Sequence, residues 1–240
     1  MPADSKRMRA VNALVDRTRV YEPAEAIALV KQAATAKFDE TVELHLRTGL
    51  DGRHADQQIR GSVLMPHGLG RAMRVAVFAE GEAATAAVRA GADEVGGDDL
   101  IAKIAGGAPL NYDVILAQRD LMVKVGRLGR ILGPKGLMPN PRANTVLEAP
   151  DLPRAIAEAK AGRVEFRLDR TNLVHCPIGK ASFPPEHLLE NMTRLLGAIV
   201  QSKPSGAKGE YIRAVTLTST MGPGVPLAVA PTLALGAQSD

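Results

Sequence analysis

Arg74-Val75-Ala76-Val77-Phe78 begins a stretch unlike the sequence before it. Four consecutive apolar residues read as a short strand buried on both faces. The Ala-rich run Glu82 to Ala90 that follows reads as a helix. The pattern then repeats. Asp93 to Gly97 is extended before a helix from Asp98 to Ala105, and Asp113-Val-Ile-Leu-Ala117 is a strand before a helix near Arg119 to Val125. Short apolar strands alternating with helices predict βαβ units on a small parallel sheet. After a Gly/Pro-rich segment, Asp151 to Ala161 is helical and Gly162 closes it.

On either side the texture is different. Residues 1–20 carry Lys6, Arg7, Arg9, Arg17 and Arg19, with Ala and Leu at helical spacing. Pro23 suits a first helical turn, and Ala24 to Ala36 reads as a helix. Phe38 to Leu50 alternates, with Val42, Leu44 and Leu46 on one face, and reads as a strand. A second strand, Gly61 to Met65, ends at Pro66-His67-Gly68, the first domain boundary. Downstream, Arg163 to Leu168 and Asn172 to Ile178 predict a hairpin turning at Asp169-Arg-Thr-Asn172. Pro184-Pro185 opens a long amphipathic helix to about Gln201, and Tyr211 to Thr220 is a last strand.

Neither end has enough strands for a stable sheet of its own. The expected fold is therefore α/β in two domains. A discontinuous α+β end domain, split-βαβ-like, joins residues 1–67 and 160–225. A Rossmann-like βαβ domain, 68–159, is inserted into it, and two connections at one junction make a natural hinge. The Pro/Ala-rich tail, 226–240, is expected to be disordered.

Composition narrows the function. Aromatic content of 3% with no Trp excludes stacking of bases on rows of aromatics as the main binding mode. The single Cys176 excludes internal disulfides and fits a reducing cytoplasm. The start, Met1-Pro-Ala-Asp-Ser-Lys-Arg, has no apolar core for a signal peptide, and Val225 to Ala237 is too short to span a bilayer. The net charge of +4 sits in the end domain, because residues 68–159 carry eleven cations and eleven acids. Within that insert the charge is segregated. Residues 80–113 hold seven acids against Arg89 and Lys103, while 119–142 hold six cations against Asp120. Such polarity favours orientation by an anion.

The basic lobe centres on Gly126-Arg-Leu-Gly-Arg-Ile-Leu-Gly-Pro-Lys-Gly-Leu-Met-Pro-Asn-Pro-Arg142. Its glycines and prolines predict neither an ordinary helix nor a strand, and its backbone N–H groups and cations suit a phosphate-bearing partner. Enzymatic readings lack support. Gly179-Lys180 fails the nucleotide-loop pattern because Val174 stands where a Gly is needed and Ala181 where a hydroxyl is needed. Gly68-Leu-Gly70 lacks a third glycine and precedes a strand instead of following one. His175 and Cys176, adjacent in a strand, point to opposite faces, so this His cannot activate this Cys. A nucleotide-binding Rossmann-type enzyme remains the alternative reading, without a visible catalytic constellation.

Three polar segments at the ends of the end domain's elements are better candidates. They are Lys37-Phe-Asp-Glu-Thr41, Arg167-Leu-Asp-Arg-Thr171 and Ser219-Thr-Met-Gly-Pro-Gly224. Hydroxyls of Ser219, Thr220, Thr41 and Thr171 suit sugar 2′-OH groups or phosphate, and the Met221-Gly222 pair lets a backbone approach bases closely. RNA offers such sugars in a wide, shallow groove.

Gly126 to Val146, above all Gly133-Pro-Lys-Gly-Leu-Met-Pro-Asn-Pro141, resembles the signature of the bacterial large-subunit ribosomal protein family L-one. Lys37 to Thr41, Arg60-Gly61 with Leu64-Met-Pro-His-Gly68, His175-Cys-Pro-Ile-Gly-Lys180 and Ser219-Thr-Met-Gly-Pro223 are similar to its other blocks. The likeness runs in order from about residue 5 to 225, with Cys176 where a small residue such as Ala is expected. It implies a cytoplasmic, non-enzymatic protein that binds 23S rRNA at the base of the mobile lateral stalk, near the exit site where tRNA leaves. It also implies contact with other large-subunit components and repression through the protein's own operon mRNA. It implies RNA contacts at Lys37, Phe38, Glu40, Thr41, Asp169, Arg170, Thr171, Thr220, Met221 and Gly222, with Arg167 beside them. Arg127, Arg130, Lys135 and Arg142 are expected to form a secondary RNA contact. No cofactor, metal, membrane or small-molecule substrate is called for.

Overall fold

The computed structural model describes residues 5–207 and 209–237; residues 1–4, which open the stretch tested for a signal peptide, lie outside them. Helices α1 (Lys6–Asn12) and α2 (Pro23–Ala33) precede strands β1 (Thr41–Thr48) and β2 (Arg60–Leu64). Next come β3 (Val75–Phe78), α3 (Gly81–Arg89), β4 (Glu94–Gly96), α4 (Asp98–Ala105) and β5 (Val114–Gln118). Two single turns, α5 (Met122–Val125) and α6 (Gly129–Leu132), lead to β6 (Val146–Leu147) and α7 (Leu152–Lys160). Then follow β7 (Arg163–Arg167), β8 (Leu173–Lys180), α8 (Pro185–Gln201), β9 (Ile212–Ser219), β10 (Val225–Leu227) and α9 (Val229–Ala237). Two compact units result, one from Met1–Gly70 with Val164–Asp240 and one from Arg71–Arg163.

The first unit is built on a four-stranded sheet in the order β10-β9-β1-β8, with every neighbour antiparallel. Strand β1 lies between strands from the far end of the chain, so neither end has a sheet without the other. Alternation decides which face is covered. Val42, Leu44 and Leu46 of β1, Val174, Cys176 and Ile178 of β8, and Val215 and Leu217 of β9 are buried in one core. Ile27 and Val30 of α2 and Leu188, Met192, Leu195, Leu196 and Ile199 of α8 close over them. Each such side chain contributes about 1.5–3 kcal/mol on burial. The alternate residues Glu43, His45, Arg47 and His175 remain at least partly exposed on the opposite, uncovered face.

The second unit carries a parallel sheet in the order β4-β3-β5-β6. Its strands are covered on both sides. Val75 and Val77 pack with α3 and α7, while Ala76 and Phe78 pack with Leu100, Ile104 and the turns from Leu121 to Leu132. An unbroken apolar strand is what a doubly covered parallel sheet needs.

Three expectations need correction. The predicted hairpin is not one. β7 pairs with β2 in a separate two-stranded sheet and β8 pairs with β1, although Asp169–Asn172 does turn the chain between them. Secondly, Gly126–Arg142 is not wholly irregular, because Gly126–Leu128 and Gly129–Leu132 are helical turns. Val125, Leu128 and Leu132 recur at helical spacing and are 0–2% exposed, and that burial outweighs the helix cost of two glycines. The N–H groups of Gly133, Gly136 and Leu137 donate to Gly129, Gly133 and Leu132 carbonyls, with Gly136 left-handed at φ 72°, so they cap a helix and are not spare for phosphate. Thirdly, the tail is ordered through Ala237, while 238–240 lie outside the described residues. β10 extends the main sheet, and Leu227 and Val225 join the core beside Tyr21. In α9, Gly236 packs on the backbone of Leu196 and Gly197, an approach that excludes any larger residue.

Candidate nucleic-acid interface

Glu40, immediately before β1, is 1% exposed. Its carboxylate accepts from the Ala36 N–H at 2.9 Å, the Ser219 hydroxyl at 2.7 Å and the Met221 N–H at 2.9 Å. Burial works against the charge, but these donors outweigh it, helped by Arg7, and hold the carboxyl below its ordinary range. Around this clasp the Thr220 N–H donates to the Thr41 carbonyl at 3.0 Å, and the Thr41 N–H to the Thr220 hydroxyl at 2.9 Å. Segments 37–41 and 219–222 are thus one structure.

The rim of that structure is apolar and accessible. Phe38 is 55% exposed and Met221 47% exposed. Lys37 and Thr220 are also exposed, whereas Ser219 and Glu40 are buried. Glu40 and Ser219 therefore fasten the rim from beneath. Gly222 has room for no side chain, since a Cβ there would lie 2.5 Å from Ser219 Oγ. Two residues that the sequence reading left unassigned complete this end. Arg7 Nη2 donates to the Met221 carbonyl at 3.0 Å, and Lys180 Nζ donates to Thr41 Oγ1 at 2.9 Å. Both carried a signal, Arg7 in the basic first helix and Lys180 in the block from His175.

The third segment lies elsewhere. β1 and β8 run from the Thr41–Lys180 pair to the Arg47–Leu173 pair, so the Asp169–Thr171 turn stands about 20 Å along the sheet, at about 3.4 Å per residue. Asp169 accepts from the N–H groups of Thr171 at 2.8 Å and Leu173 at 2.7 Å, and from the Thr171 hydroxyl. Burial again opposes its charge, and these donors overcome it and keep the carboxyl low. Arg167, Arg170 and Thr171 are exposed around it. Between the two ends stretches the uncovered face of the sheet.

In the second unit, Arg127, Arg130, Lys135 and Arg142 are all exposed and form no ion pair among the described residues. The neighbouring cations are committed, Arg119 to Glu148 at 2.8 Å and Lys124 to Asp98 at 2.8 Å. No group of three metal-ligating side chains occurs among the described residues. Cys176 is buried beneath the sheet, and burial pushes its thiol up to about 12, with Glu43 adding to the shift. None of their helices is long and apolar enough to cross a membrane.

Comparison with known proteins accords with this architecture. The pattern of the Ribosomal protein L1p/L10e family matches residues 30–223. Large ribosomal subunit protein uL1 of Chloroflexus aurantiacus is 58% identical over 227 residues, covering 95% of this chain and 96% of its own length. Its namesake in Chloroflexus aggregans is 57% identical over the same length, and that of Dehalococcoides mccartyi is 52% identical over 236 residues, 98% of this chain. Matched at this identity over nearly its whole length, the chain belongs to the ribosomal protein L1 family and is a non-enzymatic, RNA-binding type of ribosomal protein.

Proposed function

We propose that this chain is a constituent of the large ribosomal subunit whose first unit binds 23S rRNA at the base of the mobile lateral stalk. There it assists release of tRNA from the exit site. It also represses its own operon mRNA, which presents a similar RNA shape. The observation that carries this reading is the rim formed by Phe38, Thr41, Thr220 and Met221, clasped from beneath by Glu40. Apolar and hydroxyl groups on a rigid edge suit a preformed RNA surface better than a flexible cationic patch would. The Asp169–Thr171 turn with Arg167 and Arg170 makes a second point of contact on the same sheet. Arg127, Arg130, Lys135 and Arg142 add a salt-dependent increment from the second unit.

Filter retention of a stalk-region rRNA transcript tests it. Thr220→Val and Met221→Ala should each weaken binding, by about 1–3 kcal/mol from the size of stacking and readout contacts. Unchanged affinity in both variants would place the RNA elsewhere.

A further inference from the structure

The uncovered sheet face between the two polar ends carries a histidine pair. His45 and His175 are direct cross-strand partners in the β1–β8 register. Their Nδ1 atoms lie 2.6 Å apart, with the rings edge to face at 4.8 Å between centroids. At that separation one Nδ1 carries a hydrogen and the other offers a lone pair. The neutral pair therefore turns one Nε2–H and one bare Nε2 outward. Uptake of a single proton leaves the internal bond in place and turns both outward nitrogens into donors, with one positive charge between them.

Each outward Nε2 has a carboxylate near it, though not bonded to it. His45 Nε2 is 3.7 Å from Glu43 Oε2, and His175 Nε2 is 3.8 Å from Asp169 Oδ2, both beyond hydrogen-bond length. Their side chains are 25% and 47% exposed. The groups facing the pair are Glu43 and Arg47 from β1, Thr216 and Thr218 from β9, and Asp169 from the turn. Burial disfavours the charged form of His45, His175 adds to that, and Glu43 opposes it. His45 is thus held back from charging in the free protein, and an anion over the pair would favour the added proton.

We propose that a backbone phosphate of the bound RNA lies over the His45–His175 pair, which takes up one proton and grips it with two Nε2–H donors. This rests on the reading of the first unit as RNA-binding. The phosphate lies between the Thr220–Met221 rim and the Asp169–Thr171 turn, so the RNA strand follows the sheet instead of touching one end. Arg47, exposed two residues along β1, and Lys180 at the rim give the track its charge complementarity.

Affinity of the full-length protein for a stalk-region rRNA transcript, measured between pH 6 and 8 at constant salt, decides the matter. Wild type should bind roughly tenfold more weakly for each pH unit above the pair's titration, one proton being taken up per complex. His45→Ala and His175→Ala, on the uncovered face and with circular dichroism as a folding check, should each flatten that slope. Thr220→Val should lower affinity at every pH and keep the slope. A wild-type affinity independent of pH, or histidine variants with the wild-type slope, overturns the inference. If Thr220→Val and Met221→Ala weaken binding while the histidine variants do not, only the pair is misassigned. If none of the four matters, the RNA-binding reading of this face fails with it.

Discussion

Ser219 donates its hydroxyl to the Glu40 carboxylate at 2.7 Å, joining positions 179 residues apart. Both are buried, so the contact is a fastening within the protein. It ties the residue just before β1 to the residue that ends β9, and the exposed rim inherits its shape from that tie.

Removing the carboxylate should therefore loosen more than one segment. Glu40→Ala leaves the Ser219 hydroxyl and the N–H groups of Ala36 and Met221 without their acceptor. We expect a stability loss of about 2–4 kcal/mol, judged by the cost of unpaired buried donors. Urea unfolding followed by circular dichroism measures it, and a loss below about 1 kcal/mol would show that the clasp is incidental.

Acid should weaken the first unit in a defined direction. Glu40 and Asp169 both have carboxyls held below their ordinary range. A group of this kind contributes stability in full above its unfolded value, about 4.3 for Glu and 3.9 for Asp, and loses it as pH falls through the folded value. The unfolding free energy should accordingly be flat near neutrality and decline below about pH 4.5. Glu40→Gln should make that decline shallower, whereas an unaltered profile would remove Glu40 from the account.

Adding one methyl group at Gly222 should act on stability and RNA together. The new Cβ would meet Ser219 Oγ at 2.5 Å and displace it from Glu40. Gly222→Ala should cost about 1–3 kcal/mol by overpacking and weaken rRNA retention alongside it. Full retention by the variant would show that the Met221 backbone need not be held in place.

Charge on the second unit should register in salt dependence and not in specificity. Replacing Arg127, Arg130, Lys135 and Arg142 with Gln should reduce the salt slope of RNA binding by roughly one unit for each phosphate no longer neutralised. Thr220→Val should leave that slope alone. An identical slope in the fourfold variant would mean that this lobe does not touch the RNA.

What could be read from residues alone was the local pattern. Alternation at Val42, Leu44 and Leu46 marks a half-covered strand, and the unbroken Val75–Phe78 marks a doubly covered one, because side-chain period is a property of the strand itself. Pairing is not. β7 looks like the partner of β8 because only five residues separate them, yet each strand pairs with a strand from the first third of the chain. Glu40 was legible as a polar residue at a strand edge, but its burial depends on Ser219 and Met221 closing over it. The facing of His45 by His175 has no local signal at all, since they stand 130 positions apart. In the tail, prolines at 226 and 231 suggested disorder, but both stand where β10 and the first turn of α9 tolerate them.

The central position of β1 has a consequence for biosynthesis. Its two neighbours, β8 and β9, are translated more than a hundred residues after it, whereas the parallel sheet of Arg71–Arg163 is complete in one uninterrupted stretch. On a growing polypeptide the interior unit should mature first, leaving the N-terminal third to wait unpaired. On the proposed function, the RNA-binding face is completed only when the last strands emerge, and truncated products should lack it.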